Sequence, residues 1–310
     1  MQLGVKHLLD IESLRREQIE LILSTAQKFQ TASGSAPFRN KSLAGKIVVT
    51  AFFEASTRTL MSFEIAAARL GADVMKVSTE LSSIVKGETL RDTVMNLDAM
   101  GLDGLIIRHA QSGAPHAAAQ VVQASVINAG DGAHEHPTQA LLDALTILDY
   151  RKRLDGLKIV LVGDILHSRV ARSNAFLLSK FSSLIVLCGP ATLLSRDLES
   201  IAPQVTTTTR LSEALEDADV VMGLRLQKER QQQALIPSVR DYSLEYRLTT
   251  ERLRRAKPDC IVLHPGPLNR GAEMTSEVAD GPQSRILSQV SNGVAVRMAV
   301  LKLLLGGEDG

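Results

Sequence analysis

Two stretches decide the fold: LAGKIVVTAFFE, residues 43–54, and LDGLKIVLVGDI, residues 154–165. Each runs from a glycine-containing turn through a lysine into an apolar segment, and then into a polar loop before a helical pattern. A short continuous apolar segment is typical of a strand buried on both faces of a parallel sheet. Because the pattern occurs twice, each stretch is predicted to open a sheet of its own.

Further apolar runs alternate with amphipathic segments. Ile19, Ile22, Leu23 and Ala26 fall on one face of a first predicted helix, and residues 63–70 and 141–148 predict two more. This alternation predicts the α/β class, with two doubly wound domains, each with a mainly parallel sheet flanked by helices. The predicted strands are Lys46–Phe53, Gly104–Arg108, Val126–Asn128, Lys158–Gly163, Leu184–Cys188, Val220–Gly223 and Cys260–His264.

The domain boundary is predicted where YRKRLDG, residues 150–156, interrupts the apolar periodicity. We expect a first domain over residues 1–150 and a second over residues 151–290. Residues 291–310 are expected to form a C-terminal helix that returns to the first domain. In open α/β sheets the ligand lies beyond the carboxyl ends of the strands, so the residues after each strand are the candidates for function.

The composition excludes several classes of protein. Lys plus Arg number 35 against 34 Asp plus Glu, Trp is absent and aromatic residues make up 3%, which disfavours a nucleic-acid binder. Cys188 and Cys260 lie in apolar runs and are expected to be reduced thiols, with neither a disulfide nor a zinc site. The sequence shows no transmembrane pattern and no secretory signal, so a cytoplasmic protein is expected.

The first predicted strand is followed by Glu54 and then by ASTRT, residues 55–59, ahead of a helix expected to start near Leu60. Hydroxyl groups and an arginine at a helix start form an anion site, because the first N–H groups point outward and the helix dipole favours negative charge. The structural alternative is an ordinary N-cap beside a solvated Arg58. Consecutive donors around an arginine favour phosphate.

Other strand ends carry cations or free carbonyl groups. Arg108 ends one strand, with a solvated strand-end charge as an equal alternative, and HPGPLNR, residues 264–270, leaves backbone carbonyls unpaired by a sheet. Arginine suits bidentate binding of phosphate and carboxylate, so a polyanionic small ligand is predicted. The best fit is a transferase that acts on a phosphorylated substrate. The remaining candidates at strand ends are His136, Gln139, Arg169 and Arg225.

Three other kinds of site are disfavoured. The turn after the second-domain strand has Gly163 and then bulky residues, so it lacks the glycine pattern of a dinucleotide cofactor. The segment His134-Glu135-His136 lacks the spacing of helical zinc sites, and no metal is expected. No Ser–His–Asp or Cys–His arrangement is recognised. The loop SSIVKGE, residues 82–88, is by itself typical of a surface loop.

Taken together, the motifs resemble the aspartate/ornithine carbamoyltransferase family over essentially the whole chain. They occur in the family's order: FFEASTRT, SSIVKGETLRDT, RH, HPTQALLD, GDxxxSR and HPGPLNR. STRT, LRLQKER and the HPGP form resemble the aspartate branch. The resemblance implies transfer of the carbamoyl group of carbamoyl phosphate to the amine of L-aspartate, a step of pyrimidine biosynthesis, with no cofactor. It also implies a carbamoyl-phosphate domain followed by an aspartate domain.

The resemblance also implies a role for each matching residue. The phosphate would be held by Ser56, Thr57, Arg58 and Thr59, with Arg108 reaching both the phosphate and the carbonyl oxygen. Polarisation of that carbonyl would fall to Thr59, Arg108 and His136. The carbamoyl NH₂ would be held by Gln139 and by the backbone carbonyls of Gly266 and Pro267.

For aspartate, the resemblance implies a clamp of Arg169 and Arg225, with Gln227 nearby. Ser82 and Lys86 would come from the adjacent subunit of a homotrimer, Lys86 reaching both substrates. We further expect Glu54 to pair across the domains with Arg169 and Arg230. Partners implied for the assembly are regulatory or dihydroorotase-like chains; neither nucleic acid nor membrane is expected.

Two rival functions remain open at this point. One is a carbamoyltransferase for another amine such as ornithine, although a cationic substrate would favour acidic residues where the sequence has Lys228 and Arg230. The other is a catalytically silent subunit kept for assembly, against which the intact set of arginines and histidine argues.

Overall fold

The computed structural model describes residues 3–32, 39–77, 87–227 and 235–306. The chain divides into two compact units. The first unit consists of Met1–Leu145 and Val290–Gly310, and the second of Thr146–Gln289. Each unit is built on one parallel sheet.

The first unit contains a four-stranded sheet in the order β2-β1-β3-β4. Its central strands are apolar and buried, as the continuous hydrophobic runs in the sequence require. The strands are β1 (Ile47–Phe52), β2 (Asp73–Lys76), β3 (Gly104–His109) and β4 (Ser125–Asp131). The helices are α1 (Arg16–Ala32), α2 (Thr57–Arg69), α3 (Leu90–Asp98), α4 (Ala114–Ala119), α5 (Pro137–Arg151) and α11 (Ile286–Leu305), of which α5 and α11 each contain a division between the units.

The second unit contains a five-stranded sheet in the order β7-β6-β5-β8-β9. Its core combines the strands with the helices that pack on them, through residues such as Val160, Val221 and Leu253. The strands are β5 (Lys158–Val162), β6 (Leu184–Cys188), β7 (Val205–Thr208), β8 (Val220–Gly223) and β9 (Ile261–Leu263). The helices are α6 (Arg169–Ser179), α7 (Leu211–Leu215), α8 (Val239–Tyr246), α9 (Thr250–Leu253) and α10 (Ser276–Ala279), with 3-10 turns at Ala191–Leu193 and Arg196–Ile201.

The predicted fold class is confirmed, and all seven predicted strands are present, two with the predicted ends and five with different ends. The predicted strands did not include β2 and β7, because these short edge strands contain no apolar run. It also placed the start of α2 too late, since the helix begins at Thr57 and not near Leu60. Because Ser and Thr are common in helix caps and turns, the hydroxyl residues at 56–59 did not indicate the first turn of this helix. No helix among the described ranges is long and apolar enough to cross a membrane.

Candidate active site

The turn between β1 and α2 presents an uncompensated helix N-terminus. Ser56 is the N-cap residue, with extended backbone (φ −163°, ψ 96°), and its side chain makes no capping hydrogen bond. The first turn of α2 contains Thr57, Arg58 and Thr59 and no acidic residue. Arg58 is exposed, while Thr59 is buried. The positive end of the helix and an arginine therefore belong to the same turn, an arrangement that attracts an anion.

Arg108 is held rigidly beside this turn. It is paired with Phe52 in the register between β3 and β1 and is 8% exposed. Its Nη2 donates to Glu54 Oε1 at 2.6 Å, and its Nη1 donates to the carbonyl of Ala129 at 3.2 Å. A guanidinium fixed by a carboxylate and a backbone carbonyl keeps one orientation, so the side chain is pre-organised for a ligand.

The start of α5 supplies the next polar side chains. The helix begins at Pro137, and His136 and Gln139 are buried, one just before it and the other in its first turn. Gln139 N donates to the carbonyl of His136 at 3.0 Å. Gln139 Nε2 donates to Asp143 Oδ1 at 2.8 Å, one turn along the helix. The strands β1, β3 and β4 are adjacent and parallel. Their carboxyl ends, which we call the basic edge of the first sheet, therefore bring together the turn at 54–59, Arg108 and the β4–α5 connection.

A charged network supports the β4–α5 connection. Asp131 is fully buried and accepts hydrogen bonds from Gly113 N at 2.7 Å, Asn128 Nδ2 at 2.8 Å and His134 Nδ1 at 3.1 Å. His116 Nε2 lies 2.9 Å from the carboxylate of Asp10. The ligand atoms of His116, Asp131 and His134 lie within 4.8 Å of one another, which is close enough for a metal ion. Since both Asp131 oxygens already accept hydrogen bonds, the group is better described as a hydrogen-bonded support for the loop.

The His134–Asp131 pair predicts a pH-dependent contribution to stability. The hydrogen bond to Asp131 raises the pKa of His134. Burial by itself would raise the pKa of Asp131, but the hydrogen bonds from His134 and Asn128 outweigh burial, so the pKa of Asp131 is lowered. The stabilisation by protonated His134 is therefore complete below about pH 6.5 and is lost as the pH rises through the raised pKa. The contribution of Asp131 is lost only as the pH falls through its lowered pKa.

We expect thermal melts to show this as a loss of the wild-type advantage over His134→Asn on going from about pH 6 to about pH 9. Asparagine keeps a neutral donor near Asp131 and removes only the titration. His109→Asn is the matched control, because burial lowers the pKa of His109 and its effect has the opposite sign. A wild-type advantage over His134→Asn that stays constant with pH would contradict the prediction.

In the second unit, the carboxyl ends of the strands form a second basic edge, which carries Arg169, Arg225 and Gln227. Arg169 is buried at the first position of α6 after β5, and Arg225 and Gln227 follow β8, the strand adjacent to β5. The buried carboxylate of Asp164 links the two connections, because Oδ1 pairs with His167 Nδ1 at 2.8 Å and Oδ2 accepts from Gln227 N at 3.2 Å. Two guanidinium groups at one edge suit a ligand with two carboxylates.

The connection after β9 lies next along the same edge. His264 Nδ1 accepts from Gly266 N at 2.9 Å, and the Gly266–Pro267 peptide bond is cis. The buried carboxylate of Glu273 accepts from Asn269 N at 2.8 Å and from Leu226 N at 3.3 Å. Burial raises the pKa of Glu273. Glu273 therefore joins the β9 connection to the residue that follows Arg225.

The remaining sequence candidates are placed only in part. Ser82, Lys86 and Arg230 lie outside the described residues. Glu54 contacts Arg108 within the first unit, and its pairs with Arg169 and Arg230 stay predictions.

The sequence analysis missed the buried carboxylates that organise both edges: Asp131, Asp143, Asp164 and Glu273. Asp143 could have been found from its spacing, because it stands four residues after Gln139 on a helix and shares its face. Asp164 directly follows a strand and had the same positional signal as Arg108. Glu273 carried no such signal.

The fold and the two basic edges define a two-domain α/β enzyme of the kind that binds anionic substrates. Residues 6–149 match the family described as aspartate/ornithine carbamoyltransferase, carbamoyl-P binding domain. Residues 155–304 match the corresponding Asp/Orn binding domain. The chain belongs to the aspartate/ornithine carbamoyltransferase family, as the sequence motifs predicted.

Two similar relatives are catalytic subunits of aspartate carbamoyltransferases. The chain is 53% identical over 308 residues to the aspartate carbamoyltransferase catalytic subunit of Syntrophotalea carbinolica, covering 99% of this chain and 98% of that one. It is 55% identical over 299 residues to the Solibacter usitatus subunit of the same name, covering 96% of this chain and 99% of that one.

Solved structures resemble the fold closely. Aspartate transcarbamoylase from Trypanosoma cruzi in complex with carbamoyl phosphate and aspartate matches with a TM-score of 0.90 at 34% identity, over 98% of both chains. Ornithine carbamoyltransferase from Pyrococcus furiosus also matches with a TM-score of 0.90, at 27% identity and over 99% of both chains. The fold alone therefore does not separate the two branches, whereas the sequence identity favours the aspartate branch.

Proposed function

We propose that the chain transfers the carbamoyl group of carbamoyl phosphate to the amine of L-aspartate, giving N-carbamoyl-L-aspartate and phosphate. The observation that carries the proposal is the pair of basic edges. The first unit presents Arg58 and Arg108 at the end of its sheet, and the second presents Arg169 and Arg225. The relatives that are 53% and 55% identical are named aspartate carbamoyltransferase catalytic subunits, which supports aspartate as the acceptor.

The first unit would bind and polarise carbamoyl phosphate. The phosphate takes the N-terminus of α2, with Ser56, Thr57, Arg58 and Thr59 as donors. Arg108, oriented by Glu54, reaches the phosphate and the carbonyl oxygen. Thr59, Arg108 and His136 then stabilise the negative charge that develops on that oxygen. The carbamoyl NH₂ donates to Gln139 and to the carbonyls of Gly266 and Pro267.

The second unit would position the nucleophile. Arg169 and Arg225 bind the two carboxylates of aspartate, with Gln227 beside them. The uncharged amine attacks the carbamoyl carbon and forms a tetrahedral intermediate, from which the bond to the phosphate oxygen breaks. The leaving phosphate accepts the amine proton, so no protein base is required. Holding two anions in reactive geometry is the main contribution of the protein, and proximity supplies several kcal/mol of the barrier.

The proposal extends to assembly and cellular role. We propose a homotrimer in which Ser82 and Lys86 of one chain complete the site of the next, as the family resemblance implies. Closed cyclic symmetry permits such sharing. The reaction would serve pyrimidine biosynthesis in the cytoplasm, and regulatory or dihydroorotase-like chains are the expected partners.

One assay separates the proposal from its rivals. The purified chain is given carbamoyl phosphate with either L-aspartate or L-ornithine, and carbamoyl aspartate, citrulline and phosphate are measured. We expect turnover with aspartate and little with ornithine, because Arg169 and Arg225 repel a cationic side chain. Turnover with ornithine alone would establish the other branch, and none with either amine would favour a silent subunit.

Glu54→Ala is expected to raise KM for carbamoyl phosphate several-fold, because Glu54 Oε1 fixes the Arg108 guanidinium at 2.6 Å. The predicted pairs with Arg169 and Arg230 would add a separate rise in KM for aspartate. Kinetics with each substrate varied, beside a thermal melt, distinguish the two contributions. Glu64→Ala, on the body of α2, is the control variant. Unchanged KM for both substrates would contradict both roles of Glu54.

A further inference from the structure

The amide of Gln139 has a defined orientation in the structure. Its Nε2 donates to Asp143 Oδ1 at 2.8 Å, and both side chains are buried. Because the oxygen and nitrogen of an amide point in different directions, this bond turns Oε1 away from Asp143. We propose that Asp143 is a positioning residue that presents Gln139 Oε1 as an acceptor to the carbamoyl NH₂ of the substrate. The inference rests on the proposed function.

The chemistry of the pair favours one orientation over the other. An ionised carboxylate only accepts hydrogen bonds, whereas the carbamoyl NH₂ only needs acceptors. If the amide of Gln139 were flipped, its oxygen would face the Asp143 carboxylate and its NH₂ would face the substrate NH₂. Both contacts would then be repulsive. Asp143 therefore selects for a substrate group that donates, which is what distinguishes a carbamoyl group from an acetyl group.

A buried cation, Arg297, supports the ionised form of Asp143. Arg297 of α11 is buried, donates from Nη1 to Ser62 Oγ at 2.9 Å, and has its guanidinium 4.9 Å from the ring centre of Phe63. Burial, together with the charge of Arg108, lowers the pKa of Arg297 to about 9, while the negative charge of Asp143 opposes that shift. The carboxylate thus interacts with a buried cation, which offsets the cost of burying its own charge.

The helix that carries Arg297 is adapted to hold it. A Cβ at Gly293 would lie 2.6 Å from Arg297 Nη1 and 3.2 Å from Leu142 Cδ2. Glycine weakens a helix interior, yet at this position it leaves room for the guanidinium. The absence of a side chain at Gly293, one turn before Arg297 in α11, therefore leaves the space that this buried cation occupies.

The test compares two ligands that differ in one group. Acetyl phosphate has a methyl group where carbamoyl phosphate has NH₂, so the ratio of their dissociation constants reports recognition of that NH₂. We expect Asp143→Leu to reduce the preference for carbamoyl phosphate about 3- to 10-fold, the factor that one hydrogen bond contributes. Binding of inorganic phosphate should not change. Calorimetric titration of the full chain with all three ligands measures these constants.

A double-mutant cycle separates positioning from a general structural role. Gln139→Leu should reduce the preference by the same factor, and Gln139→Leu with Asp143→Leu should reduce it no further, because both changes act on one acceptor, Gln139 Oε1. If Asp143→Leu does not fold, Asp143→Leu with Arg297→Met removes both buried charges and is used in its place.

A preference retained in Asp143→Leu, or losses that add in the double variant, would overturn the inference. The proposed function is judged separately by the wild-type chain. If that chain forms carbamoyl aspartate while Asp143→Leu keeps its ligand preference, only the role of Asp143 fails.

Discussion

Replacing Arg58 by alanine is expected to lower the rate of carbamoyl aspartate formation by roughly 10²–10³-fold, the range for loss of a donor that stabilises developing charge. Arg58 is exposed in the first turn of α2, where no acidic residue offsets the helix dipole. Its removal therefore takes away a charge at the proposed phosphate position without opening a cavity in the core. The melting temperature should remain that of the wild type.

The matched control lies on the same helix. Arg69 is partly buried in the last turn of α2, so Arg69→Ala removes an arginine from the same helix far from the phosphate turn. We expect normal turnover for that variant. The assignment of the phosphate site fails if Arg58→Ala keeps near-normal activity, or if Arg69→Ala is as inactive as Arg58→Ala.

Mixing two inactive variants is expected to restore activity. Under the proposed homotrimer, each site combines Arg58 of one chain with Lys86 of the next, so Arg58→Ala and Lys86→Ala chains are each inactive alone. Every mixed trimer then contains one intact site. With random exchange at equal amounts, about three quarters of trimers are mixed, and about one quarter of wild-type activity returns.

The control for this experiment mixes two variants whose changed residues lie in the same chain's part of the site. Arg58→Ala with Arg108→Ala should give no recovery, since both residues belong to one chain's half of the site. Subunit exchange is verified by mass spectrometry of differently labelled chains. Exchange without recovery would show that each site is built from a single chain, and a measured size other than a trimer would contradict the assembly.

Parts of the architecture were accessible from sequence because burial leaves a local pattern. Strands such as KIVLV are continuous apolar runs, and their positions follow directly. The edge strand β2 is exposed and shows no such run, so its pairing with β1 could not be predicted. The start of α2 was obscured by hydroxyl residues that are equally at home in loops.

Some residues of the candidate site could likewise be predicted from the sequence, and other contacts of the site could not. The rule that ligands lie beyond strand ends located Arg108, Arg169 and Arg225 without any structure. The bond from Arg297 to Ser62 joins residues 235 positions apart, and no local pattern reports such a contact. The partner of Glu54 likewise depended on the register of β3 beside β1, which places Arg108 next to Phe52.

The return of the chain to its first unit has a consequence for the order of synthesis. Residues 146–289 form one continuous unit, whereas the first unit needs residues 290 onward. Gln30 bonds to Asn292, and a Cβ at Gly104 would lie 2.9 Å from Leu305 Cδ1, so α11 completes the core around β3. On the ribosome, domains usually mature from the N-terminus onward. Here the second unit is synthesised in full before residues 290–305, the part of α11 that the first unit still lacks.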